Sequence, residues 1–386
     1  MKVETVTVVG AGTMGRGIAQ IAAMKGCLVY LVDSSKTALE SAMADYDRIF
    51  KRLVEKGRMT EDEKVSVLAN ISTSTDLSAA QSADLFVEAI VENLEFKQEL
   101  FKAIEEFAIP EAILATNTSS LAVTAIAGAC ERPERIVGLH FFNPAPLMPL
   151  VEIIPGIATE SSVVEEVRAL VDSWGKTTVI AKDTPGFIVN RVARPFYGES
   201  LRILEEGIAD PSTIDWAMRE IGGFRMGPFQ LMDLIGIDIN YTVTETVFAA
   251  FFYDPRFKPS FTQKRMVEAG FLGKKSGRGF YDYTSEINNE PNKDIKLGEQ
   301  IVNRVVAMLI NEAADAVFMN IATKEDVDLA MTKGVNYPKG LLAWADEIGP
   351  AVVLERLQEL LEEYGEDRYR PNPLLKRIVR SGKTFY

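Results

Sequence analysis

Among 386 residues there is one histidine, His140, and Glu152 follows it twelve positions later in the run GLHFFNPAPLMPLVEI (138–153). An imidazole takes or gives a proton near neutral pH. A carboxylate on one ring nitrogen fixes its tautomer and directs the other nitrogen at a substrate. Such a pair can do general acid–base chemistry. The plainer role for a lone histidine is a core residue satisfied by a backbone carbonyl, so the elements around it must decide. One histidine and two distant cysteines, Cys27 and Cys130, cannot build a metal site.

Residues 136–142 and 150–154 are apolar and rich in β-formers, which predicts two strands. Residues 143–149 hold three prolines and read as a turn or rigid loop. Strands so joined can bring His140 and Glu152 side by side. Upstream, residues 2–9 predict a buried strand that runs into Gly10-Ala11-Gly12-Thr13-Met14-Gly15, with a small-residue helix at 16–25. This is GxGxxG with the strand before it and the helix after it that dinucleotide binding requires. Gly10 permits the tight turn, Gly12 lets a pyrophosphate approach the backbone, and Gly15 lets the helix pack on the strand. The helix N-terminus, opening on Thr13 and Met14, would then face the phosphates. The strand at 28–32 ends at Asp33, placed to accept both ribose hydroxyls and repel a 2′-phosphate, which predicts NAD rather than NADP.

Residues 36–68 predict a long charged helical hairpin with a break at 57–60 and a capping box, Thr60 to Glu63, starting its second helix. Its tip carries Lys51, Arg52, Lys56 and Arg58, a basic cluster that suits either a solvated face or a phosphate site. Strands at 71–74, 85–89 and 112–116 follow, the last two separated by a helix at 94–107. Their carboxyl ends carry Glu88, Glu92, Asn93 and then Asn117-Thr118-Ser119-Ser120, where ligands sit in an open α/β sheet. One of Ser119 and Ser120 is expected to cap a helix at 121–127, leaving the other hydroxyl to a ligand.

Hydrophobic content of 47% and charged content of 25% suit a folded globular chain. The net charge of -13 argues against a nucleic-acid partner. Two cysteines predict a reducing, cytoplasmic setting. No signal peptide and no apolar run long enough to span a membrane are expected.

The runs GAGTMGRGIAQ, VEAIVENLEFKQELF, ATNTSSL, GLHFFNPAPLMPLVEI and KDTPGFIVNR, in this order, resemble the 3-hydroxyacyl-CoA dehydrogenase family over about residues 1–285. The resemblance implies a Rossmann domain that binds NAD, a helical domain that closes over it, and an acyl-CoA between them. It puts the catalytic histidine on His140 and its paired glutamate on Glu152, with Ser119 and Asn190 around the substrate oxygen. Contacts to NAD fall on Asp33, Glu92 and Lys97, with Asn117 at a strand end and Asn143 beside the histidine. The family's serine and lysine against CoA on the hairpin find no match here.

After a polar linker at 284–297 the helical domain returns. Val189-Asn190-Arg191-Val192 recurs as Val302-Asn303-Arg304-Val305, an offset of 113 (303 − 190) that also pairs Glu199 with Glu312, Asp215 with Asp328 and Asp233 with Asp346. Residues 380–386 echo 275–281 after a short deletion. So long a register implies a duplication, and Asn303, kept where no nucleotide domain precedes it, suggests that this position also serves the fold at a helix start.

The expected fold is α/β, a Rossmann-type dinucleotide-binding domain (1–183) followed by two tandem all-α domains (184–285 and 298–386). The expected function is reversible, NAD-dependent oxidation of an (S)-3-hydroxyacyl-CoA, with short-chain substrates such as 3-hydroxybutyryl-CoA in view. The rival readings are a same-fold dehydrogenase of a free hydroxy acid, such as a sugar acid, that needs no CoA, and a non-catalytic NAD-binding structural protein. The second helical copy is expected to cover the first as an internal pseudo-dimer. Further homo-oligomerisation and a separate enoyl-CoA hydratase partner stay open.

Overall fold

The computed structural model describes residues 3–285 and 290–386, which fall into two compact units divided between Thr184 and Pro185. Lys2 of the first expected strand and residues 286–289 of the linker lie outside the described residues.

The first unit is built on eight strands: β1 (Thr5–Val9), β2 (Leu28–Val32), β3 (Ile71–Ser74), β4 (Leu85–Glu88), β5 (Ile113–Thr116), β6 (Ile136–Phe141), β7 (Leu150–Pro155) and β8 (Thr177–Ile180). They form one sheet in the order β3-β2-β1-β4-β5-β6-β7-β8. Only the β6–β7 pairing is antiparallel. β4, β5 and β6 are buried along their whole length, as expected for strands covered on both faces. Their apolar runs are what made them readable.

Around the sheet lie α1 (Thr13–Met24), α2 (Lys36–Glu55), α3 (Glu61–Ala69), α4 (Leu94–Glu105), α5 (Val123–Ala127) and α6 (Ser161–Ser173). α2 buries Leu39, Ala42, Tyr46 and Phe50, spaced three or four apart along one stripe. The Tyr46 hydroxyl donates to the Arg16 carbonyl at 2.8 Å, which fixes the hairpin against α1. α3 starts at the expected capping box, with Thr60 and Glu63 bonded reciprocally.

The second unit runs from Pro185 to Tyr386 and contains both helical copies. The two copies pack together within this one compact unit. The first copy comprises α7 (Val189–Val192), α8 (Arg194–Glu205), α9 (Pro211–Trp216), α10 (Pro228–Ile235), α11 (Ile237–Ala250) and α12 (Phe261–Glu268). The second comprises α13 (Ile295–Phe318), α14 (Lys324–Gly334), α15 (Leu341–Ile348), α16 (Pro350–Tyr364) and α17 (Pro373–Ser381).

α13 begins inside the expected linker, capped by Asp294 on the Leu297 N–H. It is one unbroken helix where the first copy has a turn and two helices. The cause is in the residues. Pro185, Gly186 and Pro195 of the first copy become Gly298, Glu299 and Met308 at the same offset, which removes the two prolines that stop a helix. Asn303 therefore stands well inside α13, not at a helix start as expected. α13 buries Ile301, Val305, Leu309, Ile310 and Ala313 at 2% exposure or less. It packs on α8 of the first copy and on α15, α16 and α17 of its own. Each Ile, Leu or Val side chain so buried contributes about 1.5–3 kcal/mol relative to exposure, and the Ala313 methyl less.

The copies also share their loop anchors. Asp215 accepts from the Phe229 and Gln230 N–H groups and from the Tyr281 hydroxyl. Asp328 does the same with Leu342, Ala343 and Tyr386.

Candidate active site

Gly10 leaves β1 with a φ of +108°, and a Cβ there would stand 2.5 Å from the Ala89 carbonyl oxygen just past β4. Only glycine fits, because β1 and β4 part at this point and the strand order reverses there. A Cβ on Gly15 would meet the Gly10 oxygen at 1.7 Å, so α1 lies directly on the turn. Gly12 is different. Among the described residues nothing stands within 4 Å of a Cβ built on it, and as the N-cap of α1 it has no side chain to bond the first N–H groups. The backbone there, with the first N–H groups of α1 from Thr13 and Met14 onward, is open to a phosphate. Asp33 follows β2. Its carboxylate accepts from the Ala11 N–H at 2.7 Å and the Ser35 N–H at 2.8 Å, and its remaining lone pairs suit ribose hydroxyls. These residues fit a dinucleotide.

His140 and Glu152 are register partners across β6 and β7. His140 Nδ1 lies 2.6 Å from Glu152 Oε2, with the histidine 6% and the glutamate 0% exposed. A carboxylate so deeply buried requires a partner, and the register supplies it. The Phe142 ring centroid is 4.5 Å from that of His140. Asn117, at the end of β5, accepts the Phe141 N–H at 2.9 Å and so ties β5 to the histidine strand. Asn143 is exposed and precedes Pro144 through a cis peptide bond.

Ser119, Glu92 and Lys97 are also brought together. Glu92 Oε1 accepts from the Ser119 and Ser120 N–H groups and from the Thr118 and Ser120 hydroxyls. Its Oε2 lies 3.1 Å from Lys97 Nζ. Burial works to raise the Glu92 carboxyl, but the Lys97 ammonium and the two hydroxyls together hold it below its ordinary value. Lys97 itself is 1% exposed and sits 2.6 Å from the fully buried Glu88.

Neither serine caps α5, contrary to expectation. The helix starts at Val123, and Asp183 caps it by accepting from the Val123 and Thr124 N–H groups at 3.0 and 2.7 Å. The Ser120 hydroxyl is spent on Glu92. The Ser119 hydroxyl makes no hydrogen bond to a described residue. Asn190, the remaining expected site residue, is the second residue of α7 in the helical unit.

A groove of ≈ 780 Å³ opens between α1, the α2–α3 hairpin and residues 144–147 and 174–176. Arg16, Lys25, Arg52, Lys56, Arg58 and Lys176 line it against a single acid, Asp45. Asp45 is already paired with Arg16 and Arg48. The groove is a local cationic surface in an acidic protein.

Residues 5–184 match the model of the 3-hydroxyacyl-CoA dehydrogenase NAD-binding domain. The C-terminal domain model of the same family matches twice, at 186–283 and 300–384. The chain belongs to the 3-hydroxyacyl-CoA dehydrogenase family. Its reaction is the NAD-dependent oxidation of a 3-hydroxyacyl-CoA.

A 3-hydroxyadipyl-CoA dehydrogenase of Escherichia coli K12 is 39% identical, with 99% of each chain covered. A probable 3-hydroxybutyryl-CoA dehydrogenase of Bacillus subtilis is 43% identical over 73% of this chain and 98% of its own. The crystal structure of a 3-hydroxybutyryl-CoA dehydrogenase from E. coli K12 superposes with a TM-score of 0.95 at 39% identity, covering 99% of this chain and 100% of that one.

Two supports of this dehydrogenase site escaped the sequence. Glu88 ends β4 and accepts from Lys97 Nζ, the Thr116 hydroxyl and the Ile90 N–H at 2.6–2.7 Å. Only its place at a strand end pointed to it. Asp183 caps a helix about sixty residues away, and no local pattern signals such a cap.

Proposed function

We propose that the chain oxidises the 3-hydroxyl of an (S)-3-hydroxyacyl-CoA of short acyl chain, reversibly, with His140 as the base. The observation that carries this is the 2.6 Å contact from His140 Nδ1 to Glu152. The carboxylate holds the proton on Nδ1, so Nε2 takes the proton of the 3-hydroxyl, and Glu152 stabilises the imidazolium that forms. Ser119 and Asn190 hydrogen-bond the substrate oxygen as it changes from alcohol to ketone. Bound NAD supplies the hydride acceptor. Gly10, Gly12, Thr13, Met14 and Gly15 hold its pyrophosphate and Asp33 its adenosine ribose. Glu92, Lys97, Asn117 and Asn143 shape the nicotinamide end of the crevice.

The cationic groove suits the phosphates of coenzyme A, with the exposed Arg52, Lys56 and Arg58 as contacts. The relatives' names offer a four-carbon and a six-carbon dicarboxylic acyl group, so the far end of the chain is open. A cytoplasmic place in acyl-CoA β-oxidation, beside a separate enoyl-CoA hydratase, fits this chemistry. Two free cysteines support it, as does the lack, among the described residues, of a helix long and apolar enough to cross a membrane.

The test is steady-state NADH formation with (S)-3-hydroxybutyryl-CoA and with free 3-hydroxybutyrate and sugar acids. Turnover of the thioester alone is expected. Turnover of a free acid with none of the thioester would overturn the proposal.

A further inference from the structure

A second groove, of ≈ 500 Å³, is lined by residues of the helical unit and lies at the seam between its two copies. Its size falls within the about 300–1,000 Å³ of small-molecule sites. Two helices of the second copy supply its polar groups. Gln300 and Asn303 of α13 are three residues apart, and Arg356, Glu359 and Glu363 of α16 are three and four apart, so each set lies along one helix face. Ile203 of α8, in the first copy, joins Ile301 and Leu360 to make the apolar part.

Arg356 pairs with no carboxylate among the described residues, and its buried Nη1 has no hydrogen-bond partner there. Burial lowers this guanidinium below its ordinary value, with Glu359 working the other way. A desolvated donor left unpaired is costly, and an anion would relieve it. Arg304 also lines the groove, but it is spent. Its Nε donates to Glu199 at 2.6 Å, and its terminal nitrogens donate to Glu206, Tyr364 and Tyr369.

The duplication argues that the unspent groups do not serve the fold. At the offset of 113, α16 corresponds to α11, each following a glycine of positive φ, Gly349 and Gly236. Arg356, Glu359 and Glu363 stand where the first copy has Val243, Thr246 and Ala250, and Gln300 where it has Phe187. The first copy forms its helix without these charges.

We propose that the groove binds a small zwitterion, an aliphatic α-amino acid. Arg356 takes the carboxylate through two parallel N–H donors, with the Asn303 amide beside it. Glu359 stands about 4.5 Å further along the helix axis, which suits an ammonium on the adjacent carbon. Ile203, Ile301 and Leu360 receive the aliphatic side chain. A phosphate or a dicarboxylate fits less well, because it would meet Glu359 and Glu363 as well as Arg356.

The test is isothermal titration calorimetry of the full-length chain with L-isoleucine, with 3-methylpentanoate, which lacks the ammonium, and with 2-methylbutylamine, which lacks the carboxylate. Isoleucine is expected to bind, and each truncated compound to bind at least about tenfold more weakly. Arg356→Gln should weaken isoleucine by a similar factor without affecting the amine. Glu359→Gln should weaken isoleucine without weakening the carboxylate, which covers the case in which the first variant does not fold. No binding of isoleucine at millimolar concentration, isoleucine no tighter than 3-methylpentanoate, or undiminished binding in a folded variant would overturn the proposal. Each of these results leaves the dehydrogenase function standing, since no residue of the groove has a part in it.

Discussion

Arg191 Nε stands 2.8 Å from Glu312 Oε1. The pair has a mirror. Arg304 Nε stands 2.6 Å from Glu199 Oε1, and both arginines and both glutamates are related by the offset of 113 (304 − 191 and 312 − 199). Residue i meets j, and the copy of i meets the copy of j. That reciprocity is the mark of a two-fold interface, here made within one chain. Arg191 also reaches Asp315, and Arg304 reaches Glu206 at 2.7 Å.

Removing the chain after Tyr283 should therefore leave an apolar face and Glu199 without its cations. The shortened protein is expected to aggregate or to form a true dimer, as read by sedimentation velocity. A stable, soluble monomer with full activity would contradict the pseudo-dimer.

Much of the nucleotide-binding unit was legible because its determinants are local. Buried strands are short apolar runs, GxGxxG is contiguous, and Thr60 lies three residues from Glu63. The His140–Glu152 pair was legible because one proline-rich turn sets the register. What escaped is held at long range. Asp183 caps α5, so Ser119 and Ser120 do not, and Glu88 reaches Lys97 and Thr116 from a neighbouring strand. The length of α13 escaped for another reason. The two copies look alike over this stretch, yet the prolines that break the first, Pro185 and Pro195, are Gly298 and Met308 in the second.

The cofactor preference tests Asp33. A second anion within 4 Å of a carboxylate near the surface costs about 4 kcal/mol. NADP should therefore be poorer than NAD by on the order of 100-fold or more in kcat/KM. Comparable efficiencies would mean that Asp33 does not face the ribose.

Glu92 gives a pH test. Its folded-state value lies below the ordinary 4.5, because Lys97 and the hydroxyls outweigh burial. The stability it contributes is complete above 4.5 and is lost as pH falls through the lower folded value. Glu92→Gln should thus be less stable than wild type at pH 7, with the gap narrowing as the medium becomes more acidic. Denaturant unfolding at both ends of the range reads this. A gap that widens in acid would reverse the assignment.

The most direct measurement is single-turnover NADH formation by His140→Gln with (S)-3-hydroxybutyryl-CoA, beside calorimetric NAD binding by the same variant. Loss of the base should slow hydride transfer by roughly 10²–10⁴-fold while NAD binds as in the wild type. Glu152→Gln should fall between the two, since it keeps the hydrogen bond and loses the charge facing the imidazolium. NADH formed by His140→Gln at near the wild-type rate would show that the proton leaves by another route, and His140 would then be no more than a buried strand residue.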